Sequence, residues 1–177
     1  MATDIIGVVI EFSIGLAGFA GVIALFSGRS SEMLELDLFR IRNLLLGAAI
    51  PAFLGFIALG LVHALSNEAH AWTWSLLFSI IFIGLYIFHA IRSRVKMPQP
   101  QRVQLQNRIF TFIIVALGAL IALQLASMFK VVPIAAFDAF FAGLVSMLAV
   151  STYQFVRAVL QGIRANTVNG RDKSTID

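Results

Sequence analysis

Five apolar runs dominate the chain, at about 5–26, 43–65, 72–91, 109–129 and 134–156. Each is near the roughly 20 residues that a helix needs to cross the hydrocarbon core of a bilayer. Lipid offers the backbone no hydrogen-bond partner, so a crossing segment is a helix or a strand of a closed barrel. Barrel strands alternate polar and apolar residues, and these runs do not. The expected fold is all-α, an integral membrane bundle of five transmembrane helices. The stretch 109–160 is too long for one crossing, and Pro133, after Lys130, is the expected break. Proline cannot donate to a preceding turn but suits the first turn of a new helix.

Charge sets the expected direction. Arg29, Arg40 and Arg42 fall in the first connection, and Arg92, Arg94, Lys96, Arg102 and Arg108 in the third. Arg157, Arg164, Arg171 and Lys173 lie at or beyond the end of the fifth run, so twelve of the thirteen basic residues share one side and only Lys130 takes the other. Basic residues near helix ends stay cytoplasmic. The amino terminus is therefore expected outside and the carboxyl terminus in the cytoplasm. Trp72 and Trp74 are expected at the outer interface, Tyr86 and Tyr153 at the inner one. Met1 to Asp4 carries no positive charge, and the first run exceeds a signal-peptide core, so it reads as a retained helix. Residues 1–167 form one transmembrane domain in this reading, and 168–177 a polar, disordered tail.

Composition agrees. The chain is 59% hydrophobic and 12% charged, where a soluble domain carries about 25% charged residues. A net charge of +4 suggests nucleic-acid binding in a soluble protein. Here the charge sits beside the spans, so the expected partners are membrane lipids and not nucleic acid. The absence of cysteine excludes disulfides, thiolate catalysis and cysteine-based zinc sites. No His-Glu-x-x-His, no Gly-x-Ser-x-Gly and no glycine loop on a strand occurs. Neither an enzyme nor a cofactor is expected.

The first connection has its own order. Glu32, Glu35 and Asp37 come early, Arg40 and Arg42 late, which is the order a helix dipole favours. Ser30 or Ser31 would cap a helical extension feeding the second run. That extension is either a lipid-surface helix or a gating or docking element. Residues 97–101, with Pro98 and Pro100, read as a hinge-like linker.

Small residues mark packing faces. Gly7, Gly15 and Gly18 share a sector of the first helix with Glu11, while Ser13, Ala17, Ala20, Gly21 and Ala24 take the opposite half. Small residues let membrane helices approach closely. Two such faces imply a neighbour on each side, one of them from the same bundle or from a second subunit, and a homo-oligomer is expected. Gly47, Pro51 and Gly55 recur at four-residue spacing in the second run, with a kink expected at Pro51. Ala135, Ala139 and Gly143 share a face of the fifth. Ala17-Gly18-Phe19-Ala20-Gly21 and Phe26-Ser27-Gly28-Arg29, followed by Glu35, Asp37, Arg40, Arg42 and Leu44 to Leu46, resemble the opening of small multi-pass inner-membrane proteins of bacteria. The likeness covers roughly the first quarter of the chain. It implies a bacterial inner-membrane setting and carries over no activity and no catalytic residue.

Ionisable and polar residues inside spans are costly and therefore informative. Glu11 lies about 9 Å into the first span at 1.5 Å per residue, and Asp138 a similar way into the fifth. Gln124 is near the outer end of the fourth and His63 near the outer end of the second. All four would lie in the outer third of the membrane and could converge, with Ser13, Thr73 and Ser75 extending the set. One reading is an outward-facing site for a cation or proton, with Glu11 repeated as a ring in an oligomer. The other is an internal polar clamp. Pro51 and the helix of 32–42 are candidate gating elements, and Gly15, Gly18, Ala17 and Gly21 candidate interface residues. His63, Glu68 and His70 could hold a transition metal or simply sit at the interface. Arg92, Arg94 and Arg157 are candidates for lipid head groups, and Tyr153, Gln154 and Arg157 at the inner end of the fifth run either bind lipid phosphate or merely snorkel. The expected function is an oligomeric channel or carrier for a small cation. The alternative is a non-transporting scaffold, accessory subunit or lipid-binding module.

Overall fold

The computed structural model describes the backbone of residues 2–27, 34–96 and 107–173, with side chains at 2–22, 39, 41–96 and 108–160. The elements are α1 (Ala2–Ser27), α2 (Leu34–Ala64), α3 (Glu68–Lys96), α4 (Asn107–Met128) and α5 (Ala136–Lys173). Each contains a segment long and apolar enough to cross a membrane. No strand occurs among the described residues. The architecture is the expected all-helical bundle of five long apolar helices.

α5 touches the other four helices, and α2 packs against α1, α3 and α5. α4 is peripheral: 11% of its apolar window is buried, against 44% for α2. Two apolar clusters fill the bundle. Ile6, Ile10, Leu54, Leu76, Phe140 and Leu144 belong to one, and Ile83, Leu117 and Met147 to the other. Outside, Phe12, Phe19, Phe56, Leu85, Phe88 and Phe112 are each more than half exposed. An apolar surface this extensive requires cover, which lipid supplies for a membrane bundle.

Helix ends follow local chemistry. Asn67 caps α3, its Oδ1 accepting from the amides of Ala69 at 3.0 Å and His70 at 3.4 Å. These are two of the amides that a helix start leaves without partners. α4 ends in a Schellman turn. The amide of Val131 donates to the carbonyl of Ala126 at 2.8 Å and that of Lys130 to Ser127 at 3.0 Å. Lys130 takes the left-handed position, with φ of 57°, where glycine is usual. The chain thus breaks at the segment the sequence marks, but Lys130 turns it, ahead of Pro133. Ser127 Oγ then donates to the carbonyl of Ile134 at 3.0 Å, tying the turn down.

Some expectations change. α2 begins at Leu34, so the first connection does feed the second span as helix. Ser30, Ser31, Glu32, Arg29, Arg102 and the linker 97–101 lie outside the described residues. α5 continues through residues 168–173, where a disordered tail is expected. Nothing between Arg157 and Thr167 forbids continuation, and Gln, Arg and Ala there favour helix. Trp72 is not an interface marker: it is 8% exposed and meets the Phe137 ring edge-on at 4.8 Å. Trp74 remains exposed. Tyr86 is likewise buried within the bundle. Pro51 lies inside an unbroken α2 and is fully buried.

Candidate functional site

Three glycines explain how the helices approach. A Cβ on Gly55 would stand 2.6 Å from Ile10 Cγ1, so this glycine lets α1 close on α2. A Cβ on Gly47 would collide with Ser151 Oγ, and one on Gly143 with Gln124 Nε2. The last collision marks the one expected outer-site residue that is buried. Gln124 is fully enclosed, and its Nε2 donates to Ser79 Oγ at 3.0 Å and to the carbonyl of Ala139 at 3.1 Å. It therefore joins α4 to α3 and α5. Its Oε1 has no hydrogen-bond partner among the described residues.

The other three members differ from it. Glu11 is exposed on the outward side of α1, His63 is exposed at the end of α2, and Asp138 is exposed in the first turn of α5. A carboxylate in a first turn suits the helix dipole. Glu11, Asp138 and His63 thus face out of the chain, whereas Gln124 is enclosed within it. The hydroxyls of Ser13, Thr73 and Ser75 donate to the carbonyls of Val9 at 2.6 Å, Ala69 at 2.8 Å and Ala71 at 2.8 Å, inside their own helices. His63, Glu68 and His70 are exposed, and no group of three metal-ligating side chains occurs among the described residues.

The two faces of α1 divide differently from expectation. Ser13 and Ala20 turn inward and are fully buried. Gly7, Gly15, Gly18 and Gly21 look out, and a Cβ at any of them would meet nothing within 4 Å. Glu11 thus stands among glycines on a face that no described residue of the chain covers. Ala17 and Gly18 also border an apolar groove with Ala49, Ala52 and Phe53 of α2, about 650 Å³ in volume.

The opposite end of the bundle carries further polar contacts between helices. Arg42 Nη2 donates to Ser93 Oγ at 2.6 Å, and Ser93 Oγ lies 3.4 Å from His89 Nε2. The Arg94 guanidinium sits 4.3 Å over the Phe110 ring. Gln154 Nε2 donates to the Tyr86 hydroxyl at 3.1 Å. These pairs bring the basic ends of α2, α3, α4 and α5 together. Among them lies a cavity of about 70 Å³, bordered by Asn43, Tyr86, Phe110, Gln154 and Arg157. Of the three arginines expected to meet lipid, Arg157 lines this cavity, Arg94 covers Phe110, and Arg92 points outward and is exposed. The sequence reading missed Asn43. The signal was available: a carboxamide opens an apolar span at the depth where Tyr86 and Gln154 fall on neighbouring helices.

Comparison with known protein families, with curated proteins and with solved structures finds no match.

Proposed function

We propose that the chain works in a bacterial inner membrane, with its amino terminus outside and its carboxyl terminus in the cytoplasm, as a homo-oligomeric channel or carrier for a small cation. The observation that carries this reading is the outward placement of Glu11 between Gly7, Gly15 and Gly18, with open space before all three glycines. A carboxylate turned toward hydrocarbon costs at least a few kcal/mol, and such residues face a protein neighbour or a water-filled path. The flanking glycines leave room for a second helix backbone to come close. A copy of the same face is the neighbour proposed, and copies of Glu11 would then line a shared boundary. Carboxylate oxygens there suit a hard cation. Gln124 is enclosed away from that boundary and acts as a clamp between helices.

The test is ion flux into proteoliposomes. Wild type conducts or exchanges a monovalent or divalent cation, and Glu11→Gln alters the flux with little change in stability. Absence of flux with wild type, together with impaired assembly in Glu11→Gln, favours the second reading: a non-transporting membrane module. The burial of Gln124, while Glu11, Asp138 and His63 are exposed, supports that second reading.

A further inference from the structure

We infer that the cavity at the basic end of the bundle binds the head-group region of a phospholipid, and that Asn43 selects head groups able to donate a hydrogen bond. Asn43 is 4% exposed, and its Oδ1 has no partner among the described residues. A buried acceptor left unpaired carries the full desolvation penalty of the group. Asn43 borders the cavity, and a donor held there within reach of Oδ1 would satisfy it.

The other polar groups ask for the opposite chemistry. The Tyr86 hydroxyl accepts from Gln154 Nε2 and keeps its own proton to give. Arg157 brings a positive charge with no partner among the described residues. Together they favour an anionic acceptor, which phosphate provides. Apart from Tyr153 the remaining wall is apolar, with Ile109, Phe110 and Ile113 contributed by α4. A ligand must therefore combine a phosphate, a donor and an apolar body. A space of about 70 Å³ exceeds the roughly 10–15 Å³ that one water requires, and it takes the polar part of a lipid while the chains follow α4 outward. That helix is the least buried of the five.

Phosphatidylethanolamine and phosphatidylglycerol carry both phosphate and donor. Phosphatidylcholine carries the phosphate but no donor, and diacylglycerol lacks the phosphate. Native mass spectrometry of the full chain in mild detergent, titrated with each lipid, reads the preference. Wild type should hold one lipid per chain and favour the two donor lipids over phosphatidylcholine by about tenfold, the effect of roughly one buried hydrogen bond. Asn43→Leu should bring that ratio close to one. Because the ratio compares two lipids on one sample, a general loss of folding does not imitate it. Arg157→Gln should weaken all three phospholipids by about tenfold and leave the ratio intact. Tyr86→Phe, which removes a single oxygen, gives a further check by weakening all three. Equal retention of ethanolamine and choline lipids by wild type overturns the proposal. So does a ratio unmoved by Asn43→Leu, no retained lipid, or displacement of lipid by millimolar glycerol phosphate, which would identify a soluble phosphate compound as the ligand.

Discussion

Replacing Gly143 with Ala puts a methyl group where the Gln124 amide lies and 2.9 Å from Ser79 Oγ. Neither neighbour is the free end of a mobile chain. Gln124 is fully buried, and both of its donor bonds depend on its present position. Forcing the amide aside weakens two buried hydrogen bonds, each worth about 1 kcal/mol net. Overpacking adds about 1–3 kcal/mol, and the better helix propensity of alanine returns up to about 1 kcal/mol. The net loss is about 2–4 kcal/mol. Reversible unfolding in mixed detergent micelles measures it. Gly118→Ala is the control, because a Cβ there meets nothing within 4 Å, and it should be neutral or slightly stabilising. In a Gln124→Ala background the Gly143→Ala loss should shrink by about 1 kcal/mol or more, since the two residues share one space. A Gly143→Ala loss no larger than the control's, or strict additivity with Gln124→Ala, refutes the clamp.

Lys130→Gly should raise stability by up to about 1 kcal/mol in the same unfolding assay, because glycine takes the left-handed turn position without strain. Asn67→Ala should lower it by about 1 kcal/mol through loss of the α3 cap, and Asn67→Asp should largely restore it. In intact cells, Lys130→Cys should react with an impermeant thiol reagent, whereas Lys96→Cys should react only after permeabilisation. The reverse pattern would contradict the proposed direction of insertion.

The five long apolar helices were legible because the expectation behind them is nearly absolute: backbone in lipid would have to bond to itself, and about 20 apolar residues in a helix do that across the core. What each polar residue faces was much less legible. In a water-soluble helix the apolar stripe reveals the inward side. In α1 both Phe12, exposed, and Ile6, buried, are apolar, so no stripe marks the inward side, as holds for any helix whose outer face would meet lipid as apolar as the core. The rotation of a helix about its own axis is therefore set by side-chain fit with its neighbours, such as Ile10 against Gly55 and Gln124 against Gly143. Those pairings join residues far apart in the chain and leave no periodic trace. For the same reason Glu11 and Gln124, both polar residues within apolar runs, could be expected to meet and instead face outward and inward. Trp72 shows the same effect: its ring packs on Phe137 and Phe140, a contact made only when α5 returns beside α3. The Asn67 cap was readable locally, since Asn before Glu and an apolar run is a helix-start signal.

The measurement closest to the proposed function is cysteine cross-linking along α1 in native membranes, in a chain that has no cysteine of its own. Gly15→Cys and Gly18→Cys should each form disulfide-linked dimers under mild oxidation, while Gly118→Cys on the peripheral helix α4 should not. Cross-linking at Gly118→Cys alone, with Gly15→Cys and Gly18→Cys remaining monomeric, would contradict a subunit boundary at Glu11.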